Sequence, residues 1–197
     1  MKRIGITQRV DVIERVGERR DALSQEWSCF LKECGYLPIF LPNDVDLALK
    51  LAQELKIDGI LLTGGNHLFA YGGNAKERDD TELALIEYGI KQGIGILGVC
   101  RGMQVLLHYF GQKLVPVENH VAKVHRLQSG KEVNSYHSFG AIKCELPLLV
   151  KEVCEDGVIE QVVHHSIPNI CGIMWHPERY SPFRIEDIQL VKGVFER

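Results

Sequence analysis

The chain has 197 residues, of which 45% are hydrophobic and 25% charged, with a formal net charge of −3. That length and balance suit one globular domain with a sizeable buried core, and the slight acidic excess argues against a nucleic-acid partner. No apolar run approaches the ~20 residues a membrane-spanning helix needs, and the apolar part of the first six residues is too short for a secretory signal, so a cytoplasmic location is expected.

Residues 3–7 have the composition of a first strand. Residues 22–34 carry Leu23, Trp27, Phe30, Leu31 and Cys34 at helical spacing and stop at Gly35, a helix-ending residue. Residues 36–41 form a second strand, which Pro38 restricts to an edge or irregular position. A helix over 45–55 leads to a strand over 59–63. A third helix over 79–92, acidic in its first turn, leads to a strand over 94–97. Residues 103–109 are again helical in composition. Strands separated by such helices build parallel βαβ units, so the expected fold class is α/β, a mostly parallel central sheet flanked by helices. After Gly111 the pattern changes. Residues 131–134, 140–143, 157–163 and 171–175 read as strands joined by short turns, and 185–195 as a closing helix. No linker, repeat or low-complexity tract divides the chain, which is read as one domain over 1–197.

The segment Gly98-Val99-Cys100-Arg101-Gly102 places a cysteine where a buried strand breaks into a helix. This is the glycine-x-nucleophile-x-glycine form of an elbow. The two glycines relieve crowding on either side of a sharp turn. A thiol at a helix N-terminus also meets the partial positive charge of the first turn. A buried core cysteine beside two turn glycines is the competing reading of the pentapeptide alone. The other five cysteines (29, 34, 144, 154 and 171) show no C-x-x-C pairing and are expected to be reduced core or surface residues.

A cysteine nucleophile needs a base, and the base needs an orienting group. Trp175-His176-Pro177-Glu178 offers both at the end of a strand, on the sheet edge that Cys100 occupies. A carboxylate two residues beyond the histidine can fix one tautomer and stabilise the imidazolium. Thr63-Gly64-Gly65-Asn66 places a glycine pair directly after another strand. Its backbone amides, with that of Arg101, can receive a developing oxyanion.

Thr63-Gly64-Gly65, Gly98–Gln104 and Trp175–Glu178, in this order, resemble the class I glutamine amidotransferase family over nearly the whole chain. Arg78–Glu82 and Val133–Ser138 are similar to its branch of γ-glutamyl hydrolases, which includes the γ-glutamyl-γ-aminobutyrate hydrolases. The resemblance implies the flavodoxin-like fold of that family and hydrolysis of a γ-glutamyl–nitrogen bond through a γ-glutamyl thioester. It implies Cys100 as nucleophile, His176 as base and then acid, and Glu178 as orienter. It implies oxyanion amides at Gly65 and Arg101, and substrate contacts at Gly64, Gln104, Ser135, Tyr136 and His137. Arg101 could also offer its charge to an anionic substrate. The whole-chain likeness further implies a cytidine diphosphoramidate leaving group, used in capsular polysaccharide synthesis. No nucleotide-binding motif in the sequence predicts cytidine. The alternatives are a γ-glutamyl-γ-aminobutyrate-type hydrolase and a glutaminase subunit that passes ammonia to a separate synthase. The chain departs from the branch at His67 and Phe69, where an acidic residue and a proline are usual, and at Ser138, where a second histidine is usual.

The remaining histidines suggest no metal set. His164 and His165 are adjacent and would point to opposite faces of a strand. His120 and His125 fall in a polar stretch and are expected near the surface beside the site. No cofactor and no metal are expected. The expected partner is a small γ-glutamyl substrate, with a second copy of the chain or a pathway enzyme as the protein partner, and neither nucleic acid nor membrane.

Overall fold

The computed structural model describes residues 1–196. Strand β1 (Arg3–Ile6) is followed by a hairpin of β2 (Arg9–Ile13) and β3 (Glu18–Ala22), then by helix α1 (Glu26–Glu33). The chain continues through β4 (Leu37–Phe40), α2 (Val45–Glu54), β5 (Gly59–Leu62), α3 (Lys76–Gln92), β6 (Gly95–Val99) and α4 (Arg101–Tyr109). Its second half holds β7 (Val115–Pro116), β8 (Val121–Arg126), β9 (Glu132–Tyr136), β10 (Phe139–Gly140), β11 (Leu148–Val153), β12 (Ile159–His164), β13 (Ile170–Ile173) and α5 (Ile185–Phe195).

The central sheet has seven strands in the order β11-β12-β13-β6-β5-β1-β4. The five from β13 to β4 run parallel, and β12 and β11 extend one edge antiparallel. This is the α/β, mostly parallel arrangement the sequence indicates. Pro38 lies on β4, the outermost strand, where no second neighbour requires its missing N–H.

Side chains alternate across the sheet into two cores. Ile4, Ile6, Leu61, Leu97 and Val99 pack with Trp27, Phe30 and Phe195 of α1 and α5. Ile60, Leu62 and Ile96 face the opposite way, onto Ala48, Ala52, Leu85 and Ile86 of α2 and α3. Every residue of β5 and β6 is therefore buried, which is why these strands read as unbroken apolar runs. The parallel registers Leu62↔Gly98 and Val99↔Ile173 bring the C-terminal ends of β5, β6 and β13 side by side. The segments leaving those three strands carry the glycine pair, Cys100 and His176.

Several boundaries differ from the sequence reading. Helix α1 starts at Glu26, because residues up to Ala22 belong to the β2–β3 hairpin. That hairpin is mostly exposed and strongly charged: the alternation of β2 is only a few residues long with Val10 alone buried, and β3 has no apolar residue before Ala22. Helix α3 begins at Lys76, three residues before the acidic turn at Asp79. The expected strand over 140–143 shrinks to the two-residue β10 paired with β7. The polar stretch containing His125 is a strand, β8, paired antiparallel with β9.

Candidate active site

Cys100 sits at the junction of β6 and α4 with φ 53° and ψ −108°. This is a disfavoured conformation for a residue bearing a Cβ, costing ~1–3 kcal/mol. Both flanking glycines are required by contact. A Cβ on Gly98 would lie 2.4 Å from the Gly102 carbonyl oxygen, and one on Gly102 would lie 2.1 Å from the Leu62 carbonyl oxygen. The Cys100 N–H is tied to the Ile173 carbonyl at 2.7 Å, which fastens the elbow to β13. The cysteine is 5% exposed.

His176 leaves β13 beside it, with Nδ1 2.7 Å from Oε1 of Glu178. Pro177, Glu178 and Arg179 form a single 3-10 turn, so the carboxylate reaches the ring by a local bend rather than by an extended strand. The Asn134 side chain on β9 accepts from the His176 N–H at 2.8 Å and donates to the His176 carbonyl at 2.9 Å. The Tyr136 ring lies edge-on to the imidazole, with centroids 5.6 Å apart. Burial pushes the imidazole down, but the facing Cys100 sulfur and then Glu178 outweigh it and raise His176 to about 10.

Gly64 is wedged against this pair: a Cβ there would lie 2.7 Å from His176 Cε1 and 3.5 Å from Cys100 Cβ. Gly65 follows with φ +86°, a conformation that favours glycine. The loop is held from below by Arg78, which is fully buried. Its guanidinium donates to the carbonyls of Thr63 at 2.8 Å, Gly64 at 3.0 Å and Gly65 at 2.5 Å. Three loop carbonyls are thereby anchored on one guanidinium, while the Thr63 N–H donates to the Thr7 hydroxyl at 3.1 Å. Arg78 also donates to Glu82 at 3.0 Å, and Glu82 in turn accepts from Thr7 at 2.7 Å and from Arg101. Arg101 further pairs with Asp79. Two arginines and two carboxylates thus form a neutral buried network linking the glycine loop to the residue after the elbow. Burial would raise Glu82, but Arg101 and Arg78 hold it below the ordinary carboxylate range. Burial pulls Arg78 down to about 10.

A cleft of about 430 Å³ opens over Cys100, lined by Gly65, His67, Gln104, Tyr136, His137 and Ser138 among others. A larger depression of about 930 Å³ lies beyond Glu178, between Leu23 and Phe183, and does not reach Cys100. Gln104, one turn into α4, donates to the Phe139 carbonyl at 2.9 Å and faces the cleft. Two expected roles are corrected. The Arg101 guanidinium is spent on Asp79 and Glu82, so only the backbone of this residue can serve an anionic group. Ser135 does not line the cleft, because its hydroxyl is fully buried and donates to the His120 carbonyl at 2.7 Å.

Residues 25–184 match the family model described as glutamine amidotransferase class-I. The chain belongs to this family. It is 35% identical to a γ-glutamyl-CDP-amidate hydrolase of Campylobacter jejuni, over 98% of this chain and 96% of that one. It is 29% identical to a γ-glutamyl-γ-aminobutyrate hydrolase of Escherichia coli, over 82% of this chain and 80% of that one. In fold it is similar to a glutamine amidotransferase of Thermotoga maritima, with a TM-score of 0.66 and 17% identity, over 99% of this chain and 84% of that one.

In this member of the family, the structure also gives parts to Asn134, Arg78 and Glu82, to which the motifs alone assign none. Each stands in one of the motifs, yet apart from the i,i+4 pair of Arg78 with Glu82 its partners come from distant segments. His120 was expected near the surface but is buried, held by Asp156 at 2.7 Å. His164 caps a turn by accepting from the Ser166 and Ile167 N–H groups. No disulfide joins the six cysteines. Burial pushes the Cys34 thiol up to about 12 and raises Cys144 and Cys154 as well. Among the described residues, no helix is long and apolar enough to cross a membrane.

Proposed function

We propose that Cys100 is the nucleophile of a γ-glutamyl hydrolase, with His176 as proton carrier and Glu178 as its orienter. The observation that carries this reading is the Cys100 elbow facing a His176 whose Nδ1 is 2.7 Å from Glu178. The Cys100 sulfur attacks the γ-carbonyl carbon of the substrate. The carbonyl oxygen becomes an oxyanion received by the backbone amides of Gly65 and Arg101. As the tetrahedral intermediate collapses, His176 gives its proton to the departing nitrogen and the C–N bond breaks, leaving a γ-glutamyl thioester. Water then attacks the thioester with His176 as base, releasing glutamate and restoring the thiol. Glu178 fixes the imidazole tautomer and stabilises its charged form. Gly64 admits the imidazole beside the nucleophile, while Gln104, Tyr136 and His137 line the glutamyl side of the cleft.

Of the γ-glutamyl amides, γ-glutamyl-CDP-amidate is the proposed substrate, giving glutamate and cytidine diphosphoramidate for capsular polysaccharide modification in the cytoplasm. The 35% identity to a hydrolase of that compound, with nearly full coverage of both chains, supports this choice. The test is glutamate release from γ-glutamyl-CDP-amidate, γ-glutamyl-γ-aminobutyrate, γ-glutamyl peptides and glutamine by the purified chain. The highest kcat/KM is expected with the CDP-amidate. Preference for γ-glutamyl-γ-aminobutyrate would reassign the leaving group, and glutaminase activity that appears only with a partner protein would make the chain a synthase subunit.

A further inference from the structure

Behind the cleft wall, three side chains outside the proposed triad converge with an unusual balance of donors and acceptors. Nδ1 of His120 lies 3.2 Å from Nε2 of His137, which lies 3.2 Å from Oε1 of Glu160. The third edge of this triangle, from His120 Nδ1 to Glu160 Oε1, is 3.6 Å. All three residues are buried.

The outer nitrogens determine where the ring protons sit. His137 Nδ1 is 3.0 Å from the Phe139 carbonyl oxygen, which can only accept, so Nδ1 carries a hydrogen. His120 Nε2 is 2.7 Å from an Asp156 carboxylate oxygen, so it too is a donor. In the neutral rings, the inner nitrogens are therefore both bare lone pairs, and they face each other and a carboxylate. Three acceptors converging in a buried space repel one another unless a cation lies among them. The second carboxylate oxygen of Glu160 is buried with no hydrogen-bond partner among the described residues.

We propose that His120, His137 and Glu160 form a site for a divalent transition metal of the zinc class. Two imidazoles and one carboxylate are a usual protein donor set for zinc. Ligand atoms ~2.1 Å from a tetrahedral zinc stand ~3.4 Å apart, and the observed edges of 3.2, 3.2 and 3.6 Å bracket that spacing. The outer contacts to Asp156 and the Phe139 carbonyl are the partners that orient metal-bound imidazoles in general. His120 precedes β8, His137 follows β9 and Glu160 lies on β12. A metal here would tie the paired ends of β8 and β9 to β12 of the central sheet, and fix His137 at the cleft. Sequence reading misses the site because its ligands are 17 and 23 residues apart with no short-range spacing.

The test uses the full chain carrying Cys100→Ser, so that the thiol cannot itself hold zinc. The protein is stripped with a chelator and titrated with Zn²⁺ or Co²⁺ alone. One Zn²⁺ per chain is expected by elemental analysis, with cobalt giving visible ligand-field bands. Glu160→Gln should lose the bound metal. Asp156→Asn, at a side chain 51% exposed, removes only the outer partner of His120 and should weaken binding by roughly 10–100-fold, with the metal-free chain melting as before. Absence of binding, or equal binding in both variants, overturns the proposal and leaves a proton shared between the two rings. Metal content is read independently of turnover, so the test stands whether or not the proposed substrate is correct.

Discussion

The Asn134 side-chain amide closes on both backbone polar groups of His176, accepting from its N–H at 2.8 Å and donating to its carbonyl at 2.9 Å. This two-point hold spans 42 residues of sequence and fastens the end of β13 to β9. It fixes where the imidazole begins, while Glu178 fixes how it turns.

Asn134→Ala should therefore lower kcat far more than it alters KM. It leaves the buried His176 N–H without its partner, at a cost of ~1–3 kcal/mol, and leaves the His176 carbonyl only the Arg179 N–H at 3.3 Å. Steady-state kinetics and thermal melting would read both effects. An unchanged kcat would show that His176 needs no support from β9.

Gly64→Ala tests the wedge between the base and the elbow. The added Cβ would lie 2.7 Å from His176 Cε1, so the ring must move. Since small misplacements of a reacting group can lower rates by ~10²-fold, a kcat loss of that order is expected with little change in melting temperature. A rate within twofold of the unsubstituted chain would mean that the imidazole sits elsewhere during turnover.

Arg78→Lys keeps a charge but loses the planar fork that serves three carbonyls and Glu82. Disrupting a buried ion pair by removing one partner costs ~3–5 kcal/mol, and a lysine should recover only part of that. The variant is expected to melt lower and turn over more slowly, because the Gly65 amide is no longer aimed. A normal kcat at a lowered melting temperature would restrict Arg78 to stability.

The His176 imidazole, raised to about 10, should remain protonated through neutral pH and lose its proton as pH rises through that value. A group with a raised pKa holds its acid form below the raised value, so the charged ring persists on the acid side. Nitrogen-15 NMR of the ring should show this directly. In Cys100→Ala, which removes the largest raising influence, the titration should move down. A ring titrating near its ordinary value in the unsubstituted chain would contradict the pairing with Cys100.

The elements nearest the site were legible in the sequence because they obey short-range rules. The apolar runs of β5 and β6 are buried on both faces, and Gly98 and Gly102 are glycines for contact reasons that a local motif records. Helix α5 is bounded as its pattern indicates, at Ile185 and Phe195. The β2–β3 hairpin is hard to read because it buries only Val10, and β3 is charged from Glu18 to Asp21. The parts of Arg78, Asn134 and His120 were hidden for another reason. Their partners lie 15, 42 and 36 residues away, across sheet connections that no spacing rule spans. The same distance explains the two corrected roles. Nothing local shows that the Arg101 guanidinium turns to Glu82, or that Ser135 finds the His120 carbonyl.

Covalent labelling can show whether Cys100 carries the γ-glutamyl group. The chain is incubated with a γ-glutamyl electrophile, such as a chloroketone analogue of glutamine, and mapped by peptide mass spectrometry. One adduct per chain is expected, on Cys100, with glutamate release lost in proportion to labelling and no adduct formed in Cys100→Ala. Labelling of Cys29 or Cys171 with Cys100 unmodified, or near-normal turnover by Cys100→Ala, would contradict it.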